Sequence, residues 1–174
     1  RFIRRRVNLK KFLAGILILS IFISLVGCSQ NNEVFDYEST DREWSLEIPV
    51  SFEKDGEEKQ EDFYFITYKN ENGEKFSITE VVDNETTINE EIFEKEIGED
   101  SYFHIERVQT IDVEGLGKLY GAVIEDHASE GYMMYFKTRI NDKVISFVAS
   151  KSKAFNVDEE AKIINMISNI KIIE

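Results

Sequence analysis

The sequence predicts an α+β fold: an antiparallel β-sheet of six or seven strands with helices packed on its faces. Three observations predict it. Apolar residues alternate with polar ones in several short segments, which indicates half-buried strands. Two further segments switch to helical spacing, and each opens with a capping residue. The connections between the segments are short, which favours antiparallel neighbours.

The first predicted strand contains Trp44, Leu46 and Ile48 in alternation with polar residues. Pro49 lacks an N–H, so this strand ends there or lies at an edge of the sheet. The charged stretch at residues 53–62 is typical of a loop.

The next two strands form a predicted hairpin. Residues 63–68, FYFITY, are apolar on both faces, which suits an interior strand. Asn72-Gly73 is a strong signal for a tight turn. The second arm carries Phe76 and Ile78.

Two amphipathic helices are predicted. Residues 87–90, TINE, have the form of a capping box, and Gly98 supplies a stop. The second helix begins after Asn156, with acidic residues in its first turn. Between the helices we expect four or five strands, at residues 102–108 and 109–113 (joined or separate), 118–125, 131–140 and 143–150. The predicted core consists of Trp44, Leu46, Ile48, Phe65, Phe76, Ile92, Val123, Phe147 and Ile164.

The N-terminal segment has a different composition. Residues 1–11 carry six basic groups and no acidic one, and residues 12–27 carry no charge. This layout is typical of a secretory signal peptide. Residues 25–28, Leu-Val-Gly-Cys, resemble the lipobox of bacterial lipoproteins. The resemblance implies cleavage between Gly27 and Cys28 and attachment of diacylglycerol to Cys28.

An uncleaved membrane helix is the alternative for this segment. Sixteen apolar residues rise about 24 Å, which is short for a hydrocarbon core of about 30 Å. We therefore expect a signal peptide at residues 1–27. Because the chain begins with Arg1, we also expect the natural start to lie upstream.

The expected organisation of the remaining chain is a lipidated Cys and flexible tether at residues 28–42, followed by one α+β domain at residues 43–174. The tether is predicted because its sequence is polar and lacks periodicity. The alternative is that Val34, Phe35 and Tyr37 form a first strand.

The charge of the chain excludes some functions. The chain carries 34 acidic and 21 basic residues, a net charge of −13, and removal of residues 1–27 makes it −19. Such a domain does not favour nucleic acid, because neutralising phosphates requires clustered Lys and Arg. Anionic headgroups repel it as well, so the lipid on Cys28 must supply attachment to the membrane. The single Cys rules out an internal disulfide framework.

The strand at residues 44–49, WSLEIP, together with Phe52 and the closing ISNIKII, resembles the PsbP-like family. This family contains the extrinsic PsbP subunit of photosystem II, a eukaryotic Ran-binding relative and many bacterial lipoproteins. The resemblance implies an α/β/α sandwich around an antiparallel sheet. The usual P-x-G-W after the first strand is missing, since Trp44 precedes Pro49. No functional residue is carried over.

Few residues suggest chemistry. Glu125, Asp126 and His127 are the most ligand-like cluster, because carboxylates and imidazole can hold a divalent ion. Strand alternation, however, points Glu125 and His127 one way and Asp126 the other. His104 shares a predicted face with Glu106, which would orient it as a base or ligand; otherwise it is an ordinary histidine on a polar face.

Two further patterns have ordinary explanations. The acidic stretch at residues 83–100 lacks calcium-loop spacing and is typical of a soluble helix face. Residues 132–136, YMMYF, indicate either an aromatic ligand groove or a central strand buried on both faces.

Two functions remain from the sequence. The first is a binding or interaction module without catalytic activity, anchored by lipid on the extracytoplasmic face of the cell membrane. An accessory subunit of an envelope complex, with a protein partner not identified by the sequence, is one form of it. The second is a metal-assisted envelope enzyme that uses Glu125 and His127. No cofactor is predicted, and the lack of any strong catalytic motif favours the first function.

Overall fold

The structure is a computed structural model, and it describes residues 33–173. The predicted signal peptide, Gly27 and Cys28 lie outside the described residues. The elements are β1 (Val34–Glu38), β2 (Trp44–Pro49), β3 (Phe52–Lys59), β4 (Phe63–Asn70), β5 (Lys75–Val82), α1 (Glu90–Gly98), β6 (Phe103–Val113), β7 (Gly117–Asp126), β8 (Gly131–Ile140), β9 (Lys143–Lys151), α2 (Val157–Ser168) and β10 (Lys171–Ile172).

Seven strands form one antiparallel sheet in the order β3-β4-β5-β9-β8-β7-β6, and β1-β2-β10 form a smaller antiparallel sheet. The predicted fold class is therefore confirmed. Neither helix in residues 33–173 is long and apolar enough to cross a membrane.

The main core lies on one face of the large sheet, here called the inner face. The small sheet and α2 cover this face. Trp44 of β2 is fully buried, and its ring meets Phe147 of β9 edge-on with centroids 5.8 Å apart. Phe147 also stacks on Phe76 of β5. These aromatic contacts join the two sheets into one core.

Helix α1 covers part of the opposite face, here called the outer face. Phe93 and Ile97 are buried there against Ala122 and Ile124 of β7. Because α1 packs outside and α2 inside, the large sheet has a helix on each face, as the α/β/α arrangement requires.

Strand β1 corrects the predicted domain boundary. Residues 34–38 do not belong to a tether, because they pair with β2 from Val34↔Pro49 to Glu38↔Ser45. Tyr37 is 5% exposed, and the ring of Phe35 lies 5.4 Å from that of Tyr68. The folded unit therefore begins at Val34 rather than at residue 43, and the burial of two aromatic rings explains why.

The expected loop at residues 53–62 is also wrong for most of its length. Residues 52–59 form the edge strand β3, which pairs with β4 and is interrupted by a bulge between Lys54 and Gly56. Because an edge strand faces solvent, its composition resembles that of a loop.

Helix α1 begins later than predicted. Its N-cap is Asn89, whose side chain accepts a hydrogen bond from the N–H of Ile92, rather than Thr87. Ile92 is 39% exposed, because Phe93 and Ile97 form the buried face of the helix. In contrast, the capping box at Asn156 and Glu159 of α2 is confirmed.

Six of the nine predicted core residues are buried: Trp44, Leu46, Ile48, Phe76, Val123 and Phe147. Besides Ile92, the exceptions are Phe65, which lies on the outer face beyond α1, and Ile164; both are only half-buried.

Candidate functional site

The structure brings Glu125 and His127 together at the end of β7. Nε2 of His127 lies 3.6 Å from a carboxylate oxygen of Glu125, and both side chains are exposed to solvent. Asp126 takes a different role, because it accepts hydrogen bonds from the Ser129 hydroxyl and the Ala128 N–H and so closes the turn before β8. The hydrogen bond from Ser129 lowers the pKa of Asp126.

His104 approaches the same pair from the neighbouring strand. It lies opposite Glu125 in the β6–β7 ladder, and the rings of His104 and His127 have centroids 6.3 Å apart. A bulge between Ile105 and Arg107 interrupts the regular β6–β7 ladder beside His104. Within residues 33–173, no three His, Cys, Asp or Glu side chains converge closely enough to hold a metal ion.

The carboxylates of the acidic stretch at residues 83–100 serve local structure. Glu90 and Glu91 lie in the first turn of α1, where negative charge is favourable. Glu96 binds Lys137 of β8 at 2.6 Å and ties the helix to the sheet. The soluble-face interpretation of this stretch accounts for these positions.

The aromatic stretch in β8 is a strand buried on both faces, as one of its two interpretations predicted. Met134 and Phe136 are fully buried in the inner core, whereas Met133 and Tyr135 pack under α1. Phe136 lies across Gly121 of β7, where a Cβ atom would stand 2.4 Å from the ring. The aromatic ring therefore fills the space that the glycine leaves.

A feature that the sequence did not predict is an open cleft of about 560 Å³ on the outer face. Three segments form its walls: the loop before α1 (residues 84–88), the turn and start of β7 (residues 116–120), and the end of β8 (residues 138–141). The cleft therefore lies at the end of the sheet where β5 and β8 finish and β7 begins.

Arg139 builds one wall of the cleft. Its guanidinium donates hydrogen bonds to the backbone carbonyls of Asp83 and Thr86, which fixes the loop to β8. The Asp83 carboxylate accepts hydrogen bonds from the N–H groups of Glu85 and Thr86, each at 2.9 Å. Hydrogen bonds from the Thr86 side chain and from these N–H groups lower the pKa of Asp83 to about 2. This wall is therefore already ordered without a ligand.

The charges in the cleft differ from those of the domain. Lys118 and Arg139 both line it, and within the described part of the chain neither has a carboxylate oxygen within 4.0 Å. Glu85 is the only acidic residue among the lining residues. The predicted mature chain, by contrast, contains 34 acidic and only 15 basic residues. The cleft is thus locally cationic in an acidic protein.

The chemistry that the cleft offers is recognition. Thr86 and Thr87 supply hydroxyls, and Tyr120 adds an aromatic ring. The Thr138 hydroxyl is already donated to the backbone carbonyl of Lys118. The lining contains no histidine or cysteine. Charge and hydrogen bonding can orient a polar or negatively charged group here.

A signal for the cleft did exist in the sequence. Lys118 and Arg139 occupy outward positions near the ends of adjacent strands, and β7 pairs with β8 through Tyr120↔Lys137. Strand alternation predicts that both side chains lie on the outer face. Only the pairing register of β7 with β8 shows that these two cations lie next to each other. Gly115 and Gly117 have positive φ and form the turn before β7, which supplies Leu116 to the wall.

A second polar cluster lies at the same end of the sheet but on the inner face. Glu80 is 2% exposed and accepts hydrogen bonds from the Tyr37 hydroxyl at 2.5 Å and from Nζ of Lys143 at 3.4 Å. Lys143 also pairs with Asp41 in the β1–β2 turn. Burial and the hydrogen bond to Glu80 raise the pKa of Tyr37. Burial alone would lower the pKa of Lys143, but Asp41 and Glu80 more than offset it and raise that pKa.

The cluster joins three parts of the fold, namely β1, the β1–β2 turn and the paired strands β5 and β9. A small cavity of about 90 Å³ lies beside Glu80 and Lys143. Its size and the closed set of partners around Glu80 indicate a structural role.

The solved structures that resemble this fold include cyanobacterial PsbP (CyanoP) from Synechocystis sp. PCC 6803. The TM-score is 0.58 at 11% sequence identity, over 86% of this chain and 99% of that chain. The Ran-binding protein Mog1p from Saccharomyces cerevisiae matches with a TM-score of 0.50 at 9% identity, over 82% of this chain and 96% of that chain. A Mog1 mutant matches equally well, at 0.50 and 10%, over 82% and 97%. No family model and no curated protein matches the sequence.

These similarities define a PsbP-like fold, as the resemblance of the opening strand and the closing helix implied. At identities of about a tenth, the likeness extends to the fold and not to individual residues.

Proposed function

We propose that this protein is a binding module without catalytic activity, held on the extracytoplasmic face of the cell membrane by a lipid on Cys28. In this role it presents a PsbP-like domain to a partner in the cell envelope. Two independent features support the proposal: the lipobox at residues 25–28 and the cleft at the end of the large sheet.

The cleft is the observation that carries the binding role. Its volume of about 560 Å³ falls in the range of roughly 300–1,000 Å³ that small-molecule sites occupy. Arg139 and Asp83 hold its wall in place before any ligand arrives, which lowers the entropy that binding costs. Lys118 and Arg139 favour a partner group that carries negative charge.

The similar structures supply a precedent. Mog1p is described as a Ran-binding protein, so this fold serves protein binding in at least one other chain. The comparison supports an interaction role for the fold and indicates neither Ran nor any other named partner for this chain.

The anchor is tested by changing Cys28→Ala. The variant is expected to lose metabolic labelling with a fatty acid and to accumulate as a longer precursor, because the thiol is the acceptor of the lipid. Ser29→Ala is the matched control, since it alters the neighbouring residue and leaves the thiol in place. Recovery of wild-type protein that is cleaved before residue 28 but carries a free thiol would contradict the proposal.

The cleft is tested by site-specific photo-crosslinking in cells. A photoreactive residue at Leu116 is expected to give an adduct of discrete mass, whereas one at Lys162, an exposed residue of α2, is not. Lys118→Glu should lower the adduct yield about tenfold, which corresponds to about 1.4 kcal/mol of binding free energy. Equal yields from the two positions, or yields indifferent to Lys118→Glu, would refute binding at the cleft.

The alternative function is a metal-assisted enzyme at Glu125 and His127. The 3.6 Å approach of these side chains, with His104 nearby, is the observation that favours it. The lack of a third converging ligand in residues 33–173 speaks against it. Calorimetric titration of the wild type and of His127→Ala with zinc distinguishes the two functions. A stoichiometric site of micromolar affinity that His127→Ala abolishes would establish a metal site. Diffuse, salt-sensitive heat of binding would not.

A further inference from the structure

The point at which the chain enters the domain limits its distance from a lipid on Cys28. Strand β1 begins at Val34, six residues after Cys28. At 3.3–3.6 Å per residue, this length of chain spans at most about 22 Å in any conformation. This limit on the distance rests on the lipid anchor of the proposed function. Given that anchor, the surface around Val34 lies close to the bilayer.

The strand register identifies that surface. Val34 pairs with Pro49 at the start of the β2–β3 turn, Phe52 pairs with Asn70 at the β4–β5 turn, and Lys75 pairs with Ser150 near the end of β9. We call this surface the N-terminal corner. It consists of Val34 and residues 49–53, 69–75 and 151–155.

Exposed apolar side chains occupy the N-terminal corner. Val34 is 45% exposed and Val50 is 47% exposed, and Pro49 lies between them as the partner of Val34 and the neighbour of Val50. Valine side chains that remain in water at adjacent positions gain free energy when an interface removes them from it.

The charge of the N-terminal corner is balanced, unlike that of the domain. Its three segments contain four lysines and three glutamates. Three of the lysines, Lys69, Lys75 and Lys153, have no carboxylate oxygen within 4.0 Å in residues 33–173. The glutamates are Glu53, Glu71 and Glu74. Lysines near an anionic leaflet contribute attraction that offsets part of the repulsion between the leaflet and this acidic domain.

We propose that the N-terminal corner rests on the surface of an anionic bilayer, with Val34 and Val50 at the level of the headgroups. The cleft then points away from the membrane. Strand β8 runs from Gly131 at the end that carries the corner to Ile140 at the cleft, and ten residues of strand extend roughly 30 Å. The binding site is thereby presented to the space beyond the headgroups.

The experiment uses the lipid-modified protein in vesicles that contain phosphatidylglycerol and phosphatidylcholine. Cys28 is the single cysteine and its thiol carries the lipid, so a new cysteine can be labelled alone. An environment-sensitive fluorophore is attached through Val50→Cys or, as the matched control at the cleft end, through Glu114→Cys. Spin-labelled lipids then quench the fluorophore according to its distance from the bilayer.

The label at position 50 is expected to be quenched at least about twice as strongly as the label at position 114. Replacing Lys69 and Lys75 together by Gln should lower the quenching at position 50, and Lys59→Gln at the opposite end should leave it unchanged. Equal quenching at positions 50 and 114 in protein that floats with the vesicles overturns the orientation alone. Protein that does not float with the vesicles overturns the anchor, and with it the orientation.

Discussion

At the scale of single residues, the buried carboxylate of Glu80 explains how the N-terminal strand is held. Apolar contacts place Tyr37 in the core, but its hydroxyl must also find an acceptor there, because an unpaired buried polar group is costly. Glu80 is that acceptor, and Lys143 balances its charge. The same three side chains therefore satisfy one another and join β1 to β5 and β9.

We expect Tyr37→Phe to lower the free energy of unfolding by about 1.5–3 kcal/mol, the usual contribution of a hydrogen bond to a charged group. The ring and its contact with Trp44 at 5.2 Å are retained, so the loss reports on the hydroxyl. Urea unfolding measures it. Tyr102→Phe, at an exposed position, is the control and should change little; an equally small change in Tyr37→Phe would show that Glu80 does not need this donor.

Asp83 gives the cleft a dependence on pH. Its folded pKa of about 2 lies below the ordinary value of 3.8, so it contributes stability above pH 4 that is lost as the pH falls towards 2. Amide exchange at Glu85 and Thr86, corrected for the intrinsic effect of pH, should therefore accelerate over this range. Asp83→Asn keeps the acceptor oxygen but does not titrate, so it should remove the acceleration. Protection that falls equally in the wild type and the variant would contradict the assignment.

At the scale of elements, α2 shows why a helical stripe can be recognised while its deepest residue is misjudged. The spacing of Val157, Ala161, Ile164 and Ile167 predicts a buried face. The structure leaves Val157 81% exposed and Ile167 fully buried. The N-terminal end of α2 lies at the rim of the inner face, and only its C-terminal half reaches the core between β2 and β6. The distance of each helical turn from the sheet depends on tertiary packing, so the helical spacing of apolar residues does not predict it.

For α2 we expect Ile167→Ala to cost about 2–5 kcal/mol of unfolding free energy, because it opens a cavity in the main core. Ile164→Ala at the half-buried position should cost clearly less. Urea denaturation of the two variants, compared at equal m-values, tests the order. A larger loss at Ile164 would place that side chain at the centre of the helix contact instead.

The amino-acid sequence predicted most strands and both helices, because alternation, turn residues and caps are local signals. It placed Trp44, Phe76 and Phe147 in the core for the same reason. It assigned residues 34–38 to a tether and residues 53–62 to a loop, because polar side chains of edge strands hide the pattern. It also missed the cleft, whose cations at positions 118 and 139 are joined only by strand register.

At the scale of the whole molecule, closure of the fold depends on its first strand. Phe35 and Tyr37 of β1 enter a core to which both sheets contribute. Without β1, strand β2 would have no neighbour along most of its length, since β10 pairs with just two of its residues. The domain is therefore complete only from about residue 33 onward.

A chain that starts at Glu33 should unfold cooperatively, whereas one that starts at Ser39 should lose at least about 3 kcal/mol, the scale of deleting one buried aromatic side chain. Thermal unfolding followed by circular dichroism and by Trp44 fluorescence compares them, since Trp44 contacts Tyr37 directly. Equal midpoints for the two chains would mean that β1 is peripheral.

The charges of edge strand β3 have a consequence for molecules that share a membrane surface. An exposed edge offers unpaired N–H and C=O groups to any neighbouring chain. Here Lys54 and Glu57 form an ion pair, Tyr64 binds Glu57, and the bulge at Lys54 and Gly56 breaks the regular ladder. If the proposed anchor holds, copies in one leaflet meet at high local concentration and with their strands similarly oriented, the condition under which open edges would pair with one another. The segment whose composition resembles a loop therefore presents a charged and irregular edge, which disfavours pairing with a neighbouring copy.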